Sequence, residues 1–319
     1  MYFTRRSYTL LQKKMPMLPK EQSTAWLAMI VSLLSRDLRT LIISISALAL
    51  ISASFYELYR MSVVNPYFAH AFFVPWASLY ALWAYRQRIF VNTCFSPLEG
   101  ALFLSLGIFL AYLAGHYKSS LASPDYFCLL LLSKIIAIMG IFVANWGRRA
   151  FRNAIFPLFF LLFMVPIPSF LFDPLVHFLT SKSATVLAWV FEIAGIPFVR
   201  EGFVFQLPVV DIEIVHDCSG IRSALGLTMV SVFAGNLFLK SNWHRLVLVA
   251  VTVAVSIIKN GLRIATIALV ANYVNEDWVA NHEQSGKPFL VLALLFIFLA
   301  LWLLRLSETR WLPHHIKEV

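Results

Sequence analysis

Residues Leu246 to Val270 read LVLVAVTVAVSIIKNGLRIATIALV. The run exceeds the roughly 20 apolar residues that cross a bilayer core, and only Lys259 and Arg263 interrupt it with charge. Outside it the pattern repeats. Apolar runs lie at about 40–59, 67–85, 98–115, 125–144 and 154–172, from just after Cys218 to about Leu239, and at 288–304. The whole chain of 319 residues is 60% hydrophobic and 13% charged, about half the charge of a soluble domain. The expectation is an all-α, polytopic membrane bundle of about eight helices.

The net charge of +10 invites a nucleic-acid reading, which its distribution opposes. Seventeen of the 26 Lys and Arg fall on one side of the expected spans: the N-terminal arm, the 86–97, 145–153 and 240–245 loops, and the tail. Only Arg60, Lys118, Lys182, Arg200 and Lys287 fall opposite. This is the positive-inside pattern, so the basic side is expected in the cytoplasm, with both termini. Asp125, Asp173, Glu192, Glu201, Asp211, Glu213, Asp217, Glu276, Asp277 and Glu283 fall on or near the outer side. Residues 1–39 form a basic arm. Within it Trp26, Leu27, Ile30, Leu33 and Leu34 recur at helical spacing, which fits either an interfacial helix or a solvated anchor. The 40–59 run reads as a retained span rather than a signal peptide. Residues 40–305 form the membrane domain and 306–319 a cytoplasmic tail.

The longest outer segment is 173–220. Residues 175–194 are too polar for a comfortable span, with Lys182, Glu192 and several Ser and Thr. They read as a short outer amphipathic helix ended by Gly195-Ile196-Pro197. Residues 198–215 alternate and are rich in Val, Ile and Phe, as in a β-hairpin flap of two short strands. Val165-Pro166-Ile167-Pro168 should break or kink the outer end of the 154–172 span.

That flap leads into Cys218-Ser219-Gly220-Ile221-Arg222-Ser223. Ser219-Gly220 allows a tight turn directly before a long apolar helix. A thiol at a helix N-terminus feels the positive end of the dipole, which favours the thiolate, and Arg222 adds positive charge. Cys218 is therefore either an activated nucleophile or a small buried hydrophobe. Arg263, within its span, either holds an oxyanion or carboxylate or partners a buried acid. Lys259 reads as a balancing charge. His282, in the outer loop before the last span, is a candidate general base. His216 is a rival base, and Asp217 can orient a histidine or pair with an arginine. His70 either lines the site or donates to a neighbouring helix. Cys94, Cys128 and Cys218 form no disulfide framework. No CxxC or HExxH occurs, so neither metal nor cofactor is expected. Together Cys, His and Arg read as acyl transfer.

These residues resemble the exosortase and archaeosortase family. Cys218 to Ser223 resembles its nucleophile motif, Asn260-Gly261-Leu262-Arg263-Ile264 its arginine motif, and His282 with Gly286 its histidine motif. Phe156-Pro157-Leu158, Val165 to Pro168, Gly195 to Pro197 and Arg200-Glu201-Gly202 resemble the run before the cysteine. Tyr67 to His70 and Phe73-Val74-Pro75 resemble an early span. The resemblance implies a cysteine protease and transpeptidase of the inner membrane, with its active site on the outer side. It would cleave the C-terminal sorting signal of secreted proteins, a short motif such as Pro-Glu-Pro, a transmembrane helix and a basic tail. It would pass them to an acceptor, a membrane lipid amine, in association with exopolysaccharide. Cys218 would be nucleophile, Arg263 transition-state stabiliser and His282 acid/base, with Asp217, Ser219, Gly220, Arg222, Asn260 and His70 supporting the site or binding substrate. Asp217 departs from the pattern, which leads one to expect Ala or Glu before the cysteine. An anion there raises the thiol pKa unless it is paired, as with Arg222. Two other readings stay open: a non-catalytic membrane assembly factor for polysaccharide export, and an acyltransferase using the thiol as carrier.

Overall fold

The structure is a computed structural model and describes residues 66–91, 93–208, 210–215, 218–273 and 286–311. The arm and first expected span, His216, Asp217 and His282 lie outside the described residues. A 3-10 turn at Pro66–Phe73 leads into α1 (Val74–Ala84). Then follow α2 (Pro97–His116), α3 (Ser123–Asn153), α4 (Ile155–Phe160), α5 (Ser169–Ala194), α6 (Ile221–Phe238), α7 (Asn242–Tyr273) and α8 (Gly286–Trp311). Among the described residues five helices are long and apolar enough to cross a membrane, or six if α4 and α5 are one bent span. Leu98 and Ile108 on α2, and Val291 and Leu295 on α8, are large apolar side chains more than half exposed. Such continuous outer faces are satisfied by lipid, not water. The protein is a polytopic helical membrane bundle with a small sheet.

The 154–172 stretch is broken at Val165 to Pro168, where the prolines led one to expect a break or kink. Helix continues only through Met164, ending in a 3-10 turn, and ten helical residues cover about 15 Å, half a hydrocarbon core. Pro166 and Pro168 supply no N–H, and Val165 and Pro168 are extended. The chain turns by 82° before α5 begins. Asp125, in the first turn of α3, accepts a hydrogen bond from the Ser169 N–H at 2.7 Å. That bond ties the start of α5 to the end of the bundle where α3 starts. α5 is longer than the sequence suggests, and its buried stripe runs at helical spacing through Val176, Leu179, Ser183, Leu187 and Phe191.

Three helices set the level of the site. α6 and α7 are antiparallel: Arg245 donates to the Leu239 carbonyl, and Lys259 lies opposite Ser223. α7 and α8 are antiparallel too: His244 meets Glu308, and Arg263 meets Gly286. α6 and α8 therefore both begin near Asn260 to Arg263. The last turns of α7 continue past them. There Ile264, Ala265 and Ala268 share a core with Ala184, Leu187 and Phe191 of α5. The third wall is an antiparallel sheet of β1 (Val199–Glu201), β2 (Val204–Gln206) and β3 (Asp211–Glu213), in the order β1-β2-β3. The expected hairpin thus gains a third strand. Phe205 pairs with Arg200 on one side and Ile212 on the other, and with Phe191 is fully buried. Each such ring contributes about 2–3 kcal/mol by leaving water. The core they build abuts Cys218.

Candidate active site

Cys218 sits half-buried between the sheet and the first turn of α6. Its N–H donates to the Val215 carbonyl at 2.9 Å. Ser219 is buried, and Ile221 N–H donates to its Oγ at 3.4 Å. Gly220 is the residue before the helix, with φ +74°, a conformation that a β-carbon disfavours. Its carbonyl accepts from the Ala224 N–H at 3.0 Å and from Ser223 Oγ at 2.9 Å. Cys218 is thus three residues from a helix start, where unpaired amides carry partial positive charge. Arg222 is exposed in that first turn.

This turn rests on α7. Asn260, 1% exposed, donates through Nδ2 to the Cys218 carbonyl at 2.8 Å and to Ser183 Oγ at 3.1 Å. A β-carbon on Gly220 would lie 2.6 Å from Asn260 Cγ, so only glycine lets the turn approach this closely. Beside it, buried Lys259 donates through Nζ to Ser223 Oγ. Asn260 therefore connects three elements: the cysteine turn, α7 and α5.

Arg263 is about one turn further along α7, half-buried. Its Nε would lie 3.7 Å from a β-carbon on Gly286, the first residue of α8. The structure thus brings together Cys218, Ser219, Gly220 and Asn260, with Arg263 one turn on and facing the start of α8. His70 lines a recess of about 220 Å³ with Leu162, Phe163, Val165, Ile167 and, from α6, Leu225.

The family model described as transmembrane exosortase matches residues 61–306. The chain belongs to the exosortase family. A search of the curated proteins and one of the solved structures found no match. Exosortases are in general membrane sorting transpeptidases acting on secreted proteins with C-terminal sorting signals. The matched stretch contains every candidate residue named above.

Sequence reasoning missed two parts of this candidate site. Ser183 reads as one polar residue of a surface helix, yet it is fully buried on Asn260. Lys259 reads as a charge balance, yet it holds the Ser223 hydroxyl that caps the Gly220 carbonyl. Both signals were present: a small hydroxyl residue between Ala and Lys on α5, and Gly261 beside Asn260, which marks a close helix approach.

Proposed function

We propose that this exosortase is a cysteine transpeptidase that cleaves C-terminal sorting signals at the outer face of the inner membrane. The Cys218 thiolate attacks the scissile carbonyl carbon and forms a C–S bond. Arg263 holds the oxygen as it gains charge. His282 protonates the leaving amine as the C–N bond breaks, leaving a thioester. An acceptor amine, that of a membrane lipid, gives its proton to His282 and attacks the thioester, and the thiolate leaves. The exported protein ends on the acceptor, and the link to exopolysaccharide follows from the family resemblance.

The observation that carries this reading is the Asn260 bridge, which fixes the Cys218 turn one helical turn from Arg263. His282 is four residues before Gly286, and four extended residues reach at most about 14 Å. The histidine is therefore tethered to the helix start that Arg263 meets. The charge count favours the outer side for this end of the bundle.

The test is co-expression with a secreted protein bearing a short motif, a transmembrane helix and a basic tail. Cys218→Ala, Arg263→Ala and His282→Ala should each abolish its processing. Mass spectrometry of Cys218 should find a peptide thioester. Normal processing by Cys218→Ala overturns the reading in favour of an assembly factor, and a fatty acyl adduct overturns it in favour of an acyltransferase.

A further inference from the structure

The bundle carries a second cavity at its opposite, basic end. It is open, encloses about 1420 Å³ and is lined from several separate segments. Arg88 comes from the helical turn after α1, Arg152 from the end of α3, Lys240 from the α6–α7 connection, Arg245 from the first turn of α7, and Arg305 from α8. The wall between them is aromatic, built by Phe156, Phe159 and Phe163 on and just after α4.

The lining charges do not cancel. Five cations face the cavity against one carboxylate, Glu308. That carboxylate is already engaged: it accepts from the Lys240 N–H at 2.9 Å and the Ser241 N–H at 2.8 Å, and meets His244 at 3.3 Å. Arg245 is used internally, on the Leu239 carbonyl and Asn242, and Arg305 lies over the Phe238 ring. Among the described residues the side chains of Arg88, Arg152 and Lys240 are exposed and donate to nothing. The cavity is also larger than the roughly 300–1,000 Å³ that a small soluble ligand needs. A soluble anion has no use for the phenylalanine wall, and the basic tail of a sorting signal is repelled by the rim.

We propose that this cavity binds an anionic phospholipid from the inner leaflet. The headgroup phosphate sits among Arg88, Arg152 and Lys240, and an acyl chain lies along the phenylalanines. Basic pockets between membrane helices on the cytoplasmic side suit such headgroups. Placing this end in the cytoplasm rests on the positive-inside distribution. The proposal is independent of the cysteine chemistry at the other end.

The full chain, purified in detergent and delipidated, is tested by native mass spectrometry with added phosphatidylglycerol or phosphatidylcholine. Phosphatidylglycerol should be retained about tenfold or more over phosphatidylcholine. Arg88→Gln with Arg152→Gln should remove most of that preference, since each basic contact contributes about fivefold. Lys240→Gln, a single exposed change, should lower it about fivefold and serves if the double variant does not fold. Soluble glycerol phosphate at the same concentration should displace none of the lipid. Equal retention of the two lipids, unchanged retention in the variants, or displacement by glycerol phosphate overturns the proposal.

Discussion

The side-chain amide of Asn260 donates to the main-chain carbonyl of Cys218 at 2.8 Å. A buried residue on a membrane helix therefore fixes the backbone of the candidate nucleophile, while Ser183 takes its second N–H. Replacing Asn260 by Asp keeps the shape and removes both donors. Ser183 can turn its hydroxyl to donate instead, but the Cys218 carbonyl cannot, and it would face an oxygen. We predict that Asn260→Asp slows processing at least about tenfold, since an unmet buried acceptor beside a misplaced charge costs about 1–3 kcal/mol. Alkylation of Cys218, measured with Cys94 and Cys128 replaced by Ser, should slow in parallel. Alkylation at the parental rate would rule out Asn260 as the residue that positions the thiol.

Gly220→Ala tests the same junction from the other side. A side chain at φ +74° costs about 1–2 kcal/mol, and its β-carbon would lie 2.6 Å from buried Asn260. The turn must lift off α7, taking Cys218 with it. Processing should fall at least about tenfold, whereas Gly226→Ala should not lower it. Gly226 lies on the same helix with open space around it, and alanine there should stabilise by up to about 1 kcal/mol. Equal effects of the two substitutions would count against a special role for the Gly220 turn.

Several features of this fold were legible because their signals are local. The α2, α6, α7 and α8 helices follow from continuous apolar runs, and the Val165 to Pro168 break follows from two missing N–H groups. The Cys218 turn follows from Ser219-Gly220 before an apolar run. What stayed hidden depends on register between distant helices. Ser183 and Asn260 are 77 positions apart, and nothing in either neighbourhood names the other. The strand count within 198–215 stayed hidden because all three strands are only three residues long, too short for alternation to separate one from the next. The sequence places the start of α5 at about 175, where the preceding apolar run has ended, although the helix runs through Pro174 from Ser169.

The α5–α7 contact can be tested through Gly261 and Val186. A β-carbon on Gly261 would lie 2.5 Å from Val186 Cβ, so α5 can lie this close only because residue 261 has no side chain. Gly261→Ala should push the helices apart, weaken the Asn260–Ser183 bond and lower both melting temperature and processing. Trimming the opposing residue should restore part of each. In a double-mutant cycle Val186→Gly, which removes that β-carbon, and Gly261→Ala should couple by at least about 0.5 kcal/mol. Strict additivity would mean that this approach does not set the helix separation.

At the basic end, Glu308 controls a different property. Its carboxylate, 8% exposed, receives the Lys240 and Ser241 N–H groups just before α7 begins. It thus caps α7 from α8 and satisfies donors that a helix start leaves unpaired. Glu308→Ala should lower unfolding stability by about 1–3 kcal/mol. Glu308→Gln, which keeps an acceptor oxygen but loses the charge, should fall between that variant and the parent. Because α7 carries Asn260 and Arg263 some turns away, processing at low temperature should persist in both variants while thermal inactivation moves to lower temperature. Loss of low-temperature processing in Glu308→Gln, with the helix content of the parent, would instead mean that this cap is coupled to the cysteine site through α7.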